Sequence, residues 1–277
     1  MNFLEPFLND CRLRGLDPKT ISTYKTFLVP FIEFAKNHDP QIELFQHLST
    51  YRRERTRATA LTHIKAYVHR CATLGLCEDW TASLHFRFAP APVYPTLSRE
   101  EFRRILAAIP TTMRGRRDKA LYAALFFTGA RRDAIRLLRR EDVNLRDRLL
   151  HVKTKGRKEQ FLILPTEAAI ILNGWLALSA RLQTPWIFPS LRDPGRPLDS
   201  SAVTHALPRY AHAAGLAKRV YVHGLRHSYA TILGENEVPL EVIQSALGHA
   251  DINITRAYVH KLIDVTRVRQ AMDRVFS

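Results

Sequence analysis

Cysteine is scarce: the 277-residue chain holds three, Cys11, Cys71 and Cys77, too few and too loosely spaced for a zinc module. Their odd number argues against a complete disulfide framework, so a reducing cytoplasm is the simplest setting. Acid is also in short supply, 26 Asp+Glu against 42 Lys+Arg, leaving a formal charge of +16 and a pI near 10.2. Such a field favours a polyphosphate partner. Long apolar runs are missing, since the most apolar stretch, Ala120 to Phe127, falls far short of the roughly 20 residues that span a bilayer. Glu5 and Asp10 interrupt the first apolar residues with no basic segment ahead of them, so no secretory signal is expected. These absences set up the expectation of a soluble, cytoplasmic protein with no membrane partner.

The charge that is present is uneven. Residues 1–96 carry 12 Lys+Arg against 9 Asp+Glu, a balance of +3, whereas residues 97–277 carry 30 against 17, a balance of +13. Alternating prolines in Ala89-Pro90-Ala91-Pro92-Val93-Tyr94-Pro95 stop helices and favour an extended connector, which sets domain boundaries at 1–88 and 97–277 with a linker at 89–96. Beyond it, Ser98 and Glu101 have capping-box spacing ahead of Phe102, Ile105 and Leu106. The first domain reads as all-helical, with Phe3 to Leu8, a helix opening at Asp17-Pro18, and a third helix over Ala58 to Leu74. The second reads as mainly α with a small β-hairpin: helices near 99–108, 115–127, 131–139, 166–179, 200–213, 224–234, 239–247 and 252–261. A last amphipathic stretch follows, carrying Val265, Val268, Met272 and Val275.

Several polar residues in this second domain compose a metal-free phosphoryl-transfer site. Tyr258 is a weak nucleophile, with a free pKa of about 10, and needs charge neutralisation at phosphorus and a proton acceptor nearby. Arg131 and Arg226 suit the phosphate because a guanidinium fork pairs with two non-bridging oxygens and keeps its charge. In His223-Gly224-Leu225-Arg226-His227 a helix would put His223 and Arg226 on one face. His223 and His227 at i, i+4 suggest a zinc helix, but Gly224 stands where its glutamate would be, so no metal and no cofactor are expected.

Lys155 lies between two apolar, β-prone runs, Leu149 to Val152 and Phe161 to Leu164. The segment Lys153-Thr154-Lys155-Gly156-Arg157-Lys158 therefore reads as a hairpin tip. Lys155 there can protonate a departing 5′ oxygen; alternatively the turn, with Lys153, Arg157 and Lys158, is a basic loop on DNA backbone. In the first domain the cluster Arg52, Arg53, Arg55 and Arg57 is the best candidate for phosphate contact.

In order, wording and spacing these motifs resemble the tyrosine recombinase family, which includes phage integrases and Xer-type recombinases. The resemblance covers nearly the whole chain: Thr128-Gly129-Ala130-Arg131, Thr154-Lys155-Gly156, His223-Gly224-Leu225-Arg226-His227, Leu247-Gly248-His249 and Tyr258 each match a family motif. It implies an N-terminal helical core-binding (SAM-like) domain and an α+β catalytic domain, with a C-terminal tail at about 262–277 that docks on a neighbouring protomer. It also implies a 3′-phosphotyrosyl intermediate made without metal or nucleotide. Tyr258 would attack, Arg131 and Arg226 stabilise charge, His223 and His249 orient and shuttle protons, and Lys155 protonate the leaving oxygen. The implied partners are double-stranded DNA and a homo-tetramer acting on two duplexes, with a related recombinase or accessory protein as a further candidate. With no long arm-binding domain before residue 1, the chain looks closer to Xer-like or mobile-element recombinases than to large two-site integrases.

One position departs from the family pattern. The acid usual three residues after the first arginine is replaced by Ala134, and the nearest acid, Asp133, is displaced by about 100° on a helix. Arg132 beside the first arginine is also unusual. Two other readings share these residues: a transposase-like or type IB topoisomerase-like strand transferase with a different strand fate, and a non-catalytic DNA-binding regulator.

Overall fold

The computed structural model of the chain describes residues 3–36, 38–84, 95–154, 158–247, 269–270 and 272–276. Its contacts form two units, Met1–Pro92 and Val93–Ser277, each built around its own core.

In the first unit, α1 (Leu4–Leu13) buries Phe7, Leu8 and Cys11. α2 (Pro18–Phe34) starts where the Asp17 carboxylate accepts the Lys19 backbone N–H at 2.7 Å and Pro18 occupies the first turn. α3 (Pro40–Ser49) starts the same way, Asp39 accepting from the Gln41 N–H at 2.8 Å. Sequence patterning does not anticipate this helix, because Ile42 and Phe45 on its exposed face blur the apolar stripe. α4 (Glu54–Thr73) begins ahead of the expected Ala58 and buries Ala60, Leu61, Ile64, Tyr67, Val68 and Cys71 at helical spacing. The Arg70 guanidinium forks onto Asp10 at 2.8 and 2.5 Å, tying α4 to α1.

In the second unit, α5 (Arg99–Ala108) carries the capping box in full: Ser98 Oγ accepts the Glu101 N–H at 3.1 Å, and Glu101 accepts the Ser98 N–H at 2.8 Å. α6 (Met113–Thr128) is buried along most of its length and packs against α8 (Thr166–Ser179) and α10 (Val222–Glu235). α7 is shorter than expected, Arg132–Arg136, because the next residues turn to a different partner. Leu138 O accepts the Ile187 N–H at 2.9 Å and Arg140 N–H donates to Pro185 O at 2.8 Å, so this backbone pairs with 185–187 instead of coiling on.

The hairpin is larger than its apolar runs predict. β1 (Val143–Asn144), β2 (Leu149–Thr154) and β3 (Lys158–Ile163) form an antiparallel sheet in that order, with Thr154 opposite Lys158 and Val152 opposite Gln160. Lys153, expected in the turn, is an exposed strand residue opposite Glu159. α9 (Ser200–Ala213) and α11 (Leu240–Leu247) complete the helices that position the site.

The C-terminal stretch, expected to dock on a neighbour, packs its described residues onto its own unit. Met272, Val275 and Phe276 are buried, and the Phe276 ring meets Phe127 edge-on at 5.1 Å. Asp273 pairs with Arg148 at 2.9 Å, and Val275 O accepts from Arg99. These described positions face aromatic groups of the same core; Val265 and Val268 lie outside the described residues. The expected helix at 252–261 and most of the linker lie outside the described residues. Among the described residues, no helix is long and apolar enough to cross a membrane.

Candidate active site

The site is built around the turn that ends α6. Gly129 sits at φ 62°, the left-handed conformation that terminates helices, and its N–H donates to Leu125 O at 3.1 Å. A Cβ here would stand 2.4 Å from the Tyr229 ring and 2.9 Å from the Leu247 side chain, so glycine is required by space as well as by φ. The turn delivers Arg131 to the surface in an extended conformation, immediately before α7.

Arg226 reaches the same turn from α10. Its side chain is buried, with Nη1 donating to Gly129 O at 2.8 Å and Nη2 donating to Leu247 O at 2.9 Å. One guanidinium thus joins the end of α6, the second turn of α10 and the end of α11. Burial, together with the charge of Arg131, lowers the Arg226 pKa to about 10, still well above neutrality. Among the described residues neither arginine forms a salt bridge with a carboxylate. Two like charges held together without a described acid form a site that an anion would stabilise, and a phosphodiester matches the fork.

His223 lies one turn before Arg226 on α10 and is exposed. Its ring meets that of His227 edge-on, centroids 4.8 Å apart. Asp133 does not substitute for the acid replaced by Ala134: its carboxylate pairs with Arg136 at 2.8 Å and Arg132 at 3.3 Å, turned along its own helix. Burial raises the Asp133 pKa, but the hydrogen bonds from Arg136 and Arg132 outweigh it and leave a net lowering. Ala134 packs against the core. The unusual Arg132 is thereby occupied by Asp133 and by Thr204 Oγ1 at 3.1 Å.

The structure therefore brings together Arg131 and Arg226, with His223 on the same helix as Arg226. Lys155, Arg157, His249 and Tyr258 lie outside the described residues. Arg52, Arg53, Arg55 and Arg57 are all exposed around the start of α4, in the other unit. Among other arginines of the second unit, Arg114, Arg116 and Arg139 are exposed. Two others are structural. Arg117 is buried on Asp118 and Pro189 O, and Arg140 donates to Ser179 and Thr184 O. Sequence patterning misses Gln160, whose Nε2 donates to Ser245 O at 3.2 Å and Ala246 O at 3.0 Å. The available signal is alternation, since Gln160 shares a face of β3 with the buried Leu162. Among the described residues, no group of three or more His, Cys, Asp or Glu is placed to hold a metal.

Comparison with known proteins gives consistent matches. The family model for the phage integrase family matches residues 95–263. The tyrosine recombinase XerD of Lacticaseibacillus casei is 34% identical over 171 residues, 60% of this chain and 58% of that protein. The tyrosine recombinase XerA of Thermococcus onnurineus is 28% identical over 269 residues, 95% of this chain and 91% of that protein. In fold, the chain is similar to a lambda integrase solved as a tetramer bound to a Holliday junction, with TM-score 0.68, 20% identity, and coverage of 91% of this chain and 78% of that one.

Proposed function

This chain belongs to the phage integrase family, and we propose that it is a site-specific DNA recombinase acting through a covalent 3′-phosphotyrosyl intermediate on Tyr258. The Tyr258 oxygen attacks phosphorus, the P–O5′ bond breaks, and its electron pair leaves on the 5′ oxygen, which takes a proton from Lys155. His223 and His249 receive and pass on the tyrosine proton. Arg131 and Arg226 neutralise the charge that grows on the non-bridging oxygens, an electrostatic contribution of the kind that dominates many enzymes. The phosphotyrosyl bond keeps the energy of the phosphodiester, so a 5′ hydroxyl from a second strand reverses the step without metal or ATP. Four protomers on two duplexes would give each exchange its partner strand. Arg52, Arg53, Arg55, Arg57, Lys153, Arg157 and Lys158 are assigned to DNA backbone.

The observation that carries this reading is the pair of arginines converging on the Gly129 turn with no carboxylate beside them among the described residues. The test is a suicide DNA substrate, nicked near the cleavage point, incubated with wild type and with Tyr258→Phe and run on a denaturing gel. A covalent protein–DNA band from wild type alone is the expected result. Specific binding with no band from either protein would turn the reading toward a regulator.

A further inference from the structure

We propose that Gln160 is a positioning residue that fixes the Lys155 hairpin against the end of α11, and so sets where the leaving-group proton is delivered. This rests on the recombinase reading above. A helix ends with carbonyls that have no partner within the helix, and these must be satisfied by some other group. At the end of α11 three successive carbonyls are taken by two side chains distant in sequence. Gln160 Nε2 donates to Ser245 O and Ala246 O at 3.2 and 3.0 Å, and Arg226 Nη2 donates to Leu247 O at 2.9 Å. Both amide hydrogens of Gln160 are thus committed to this one helix end.

The placement of Gln160 in the sheet gives the contact its consequence. It lies opposite Val152 in the β2–β3 register, and the strands run on to the Thr154–Lys158 pair, which immediately precedes and follows the segment carrying Lys155. The helix end it holds runs directly into Leu247-Gly248-His249. A second brace acts on the same stem: the His151 ring stacks on Phe161 at 5.0 Å, its Nδ1 lies 3.4 Å from Asp142 and its Nε2 3.3 Å from Glu159. That brace stays within the sheet and the 3₁₀ turn (Arg140–Asp142) before it, whereas Gln160 ties the hairpin stem to the end of α11, which Arg226 also holds at Leu247 O. Proton transfer falls off steeply with misplacement of the donor, so loss of this tie should show in leaving-group protonation rather than in attack.

The experiment compares Gln160→Met, which keeps the length and loses both donors, with wild type and Lys155→Ala, in single-turnover cleavage. Two substrates are used, an ordinary phosphodiester and one with sulfur replacing the bridging 5′ oxygen, whose thiolate leaves without a proton. The expected result is a loss of about tenfold or more on the oxygen substrate, a loss of less than about twofold on the sulfur substrate, and no further loss from Gln160→Met in the Lys155→Ala background. Equal losses on the two substrates, or losses that follow a lowered Tm or weakened DNA binding, would overturn the assignment. If Gln160→Met does not fold, Gln160→Glu, isosteric and without donors, is held to the same outcomes. A wild type that forms no covalent adduct on either substrate would overturn the recombinase reading itself, a result distinct from failure at Gln160 alone.

Discussion

Gly129 is where conformation, packing and charge meet in one residue. Its φ of 62° and the 2.4 Å separation of a notional Cβ from the Tyr229 ring mean that alanine must either strain the backbone or displace a fully buried aromatic. Gly129→Ala is expected to destabilise the second unit by about 2–4 kcal/mol, read as a lower urea midpoint at unchanged m-value. Because Gly129 O accepts from Arg226, DNA cleavage should fall further than stability accounts for. Full cleavage with a normal midpoint would show that the turn tolerates a side chain. At this scale the sequence was informative about residue type and weak about environment. Thr128-Gly129-Ala130-Arg131 and His223 to His227 announce themselves by type and spacing. That Arg226 would be buried on two carbonyls depends on α11 arriving from another part of the chain, and no local pattern records that. Asp133 shows the same limit: its displacement from the expected acid position is legible, and its commitment to Arg132 and Arg136 is not.

Elements were legible where a chemical signature marks their ends. Ser98 with Glu101 announced α5, and Asp17-Pro18 announced α2, because a cap is a local hydrogen bond between near neighbours. α3 carries the same Asp-Pro start, but its exposed Ile42 and Phe45 obscure the amphipathic pattern. α7 stops early because residues 138–140 are claimed by strand-like pairing with 185–187, a long-range competitor invisible to periodicity. The C-terminal stretch illustrates a third case: spacing shows an apolar face and cannot say whose core it enters, and in the single chain its described residues lie on their own unit. Its cis placement makes a prediction. Phe276→Ala removes a ring packed on Phe127 and stacked at 6.4 Å on Tyr229, and should cost about 3 kcal/mol. The unfolding midpoint of wild type in the absence of DNA should also be independent of protein concentration. A midpoint that climbs with concentration, together with a small effect of Phe276→Ala in dilute protein, would place the tail on a second copy instead.

Across the whole molecule, charge is distributed unlike apolar surface. Residues 97–277 hold most of the positive excess, and part of it is internal: Arg117 and Arg140 serve carbonyls and a buried acid instead of solvent. Net charge therefore overstates the DNA-facing charge of this unit. The smaller excess of residues 1–96 is more available, since Arg52, Arg53, Arg55 and Arg57 are all exposed at the start of α4. Cations at a helix N-terminus oppose its dipole and weaken the helix by a few tenths of a kcal/mol each, so helix stability does not explain them. The phosphate contact proposed above accounts for them, because a phosphate backbone is attracted by the arginines and by the helix end together. Replacing all four with glutamine should weaken DNA binding to a similar degree on cognate and unrelated sequences. Each lost phosphate contact flattens the dependence of log K on log salt by about 0.9, so the combined variant should lose roughly 3 to 4 from the slope. Fluorescence anisotropy across a salt series measures it directly. Parallel lines for wild type and variant would remove this cluster from the DNA interface, and a loss confined to one sequence would recast it as a reader of bases.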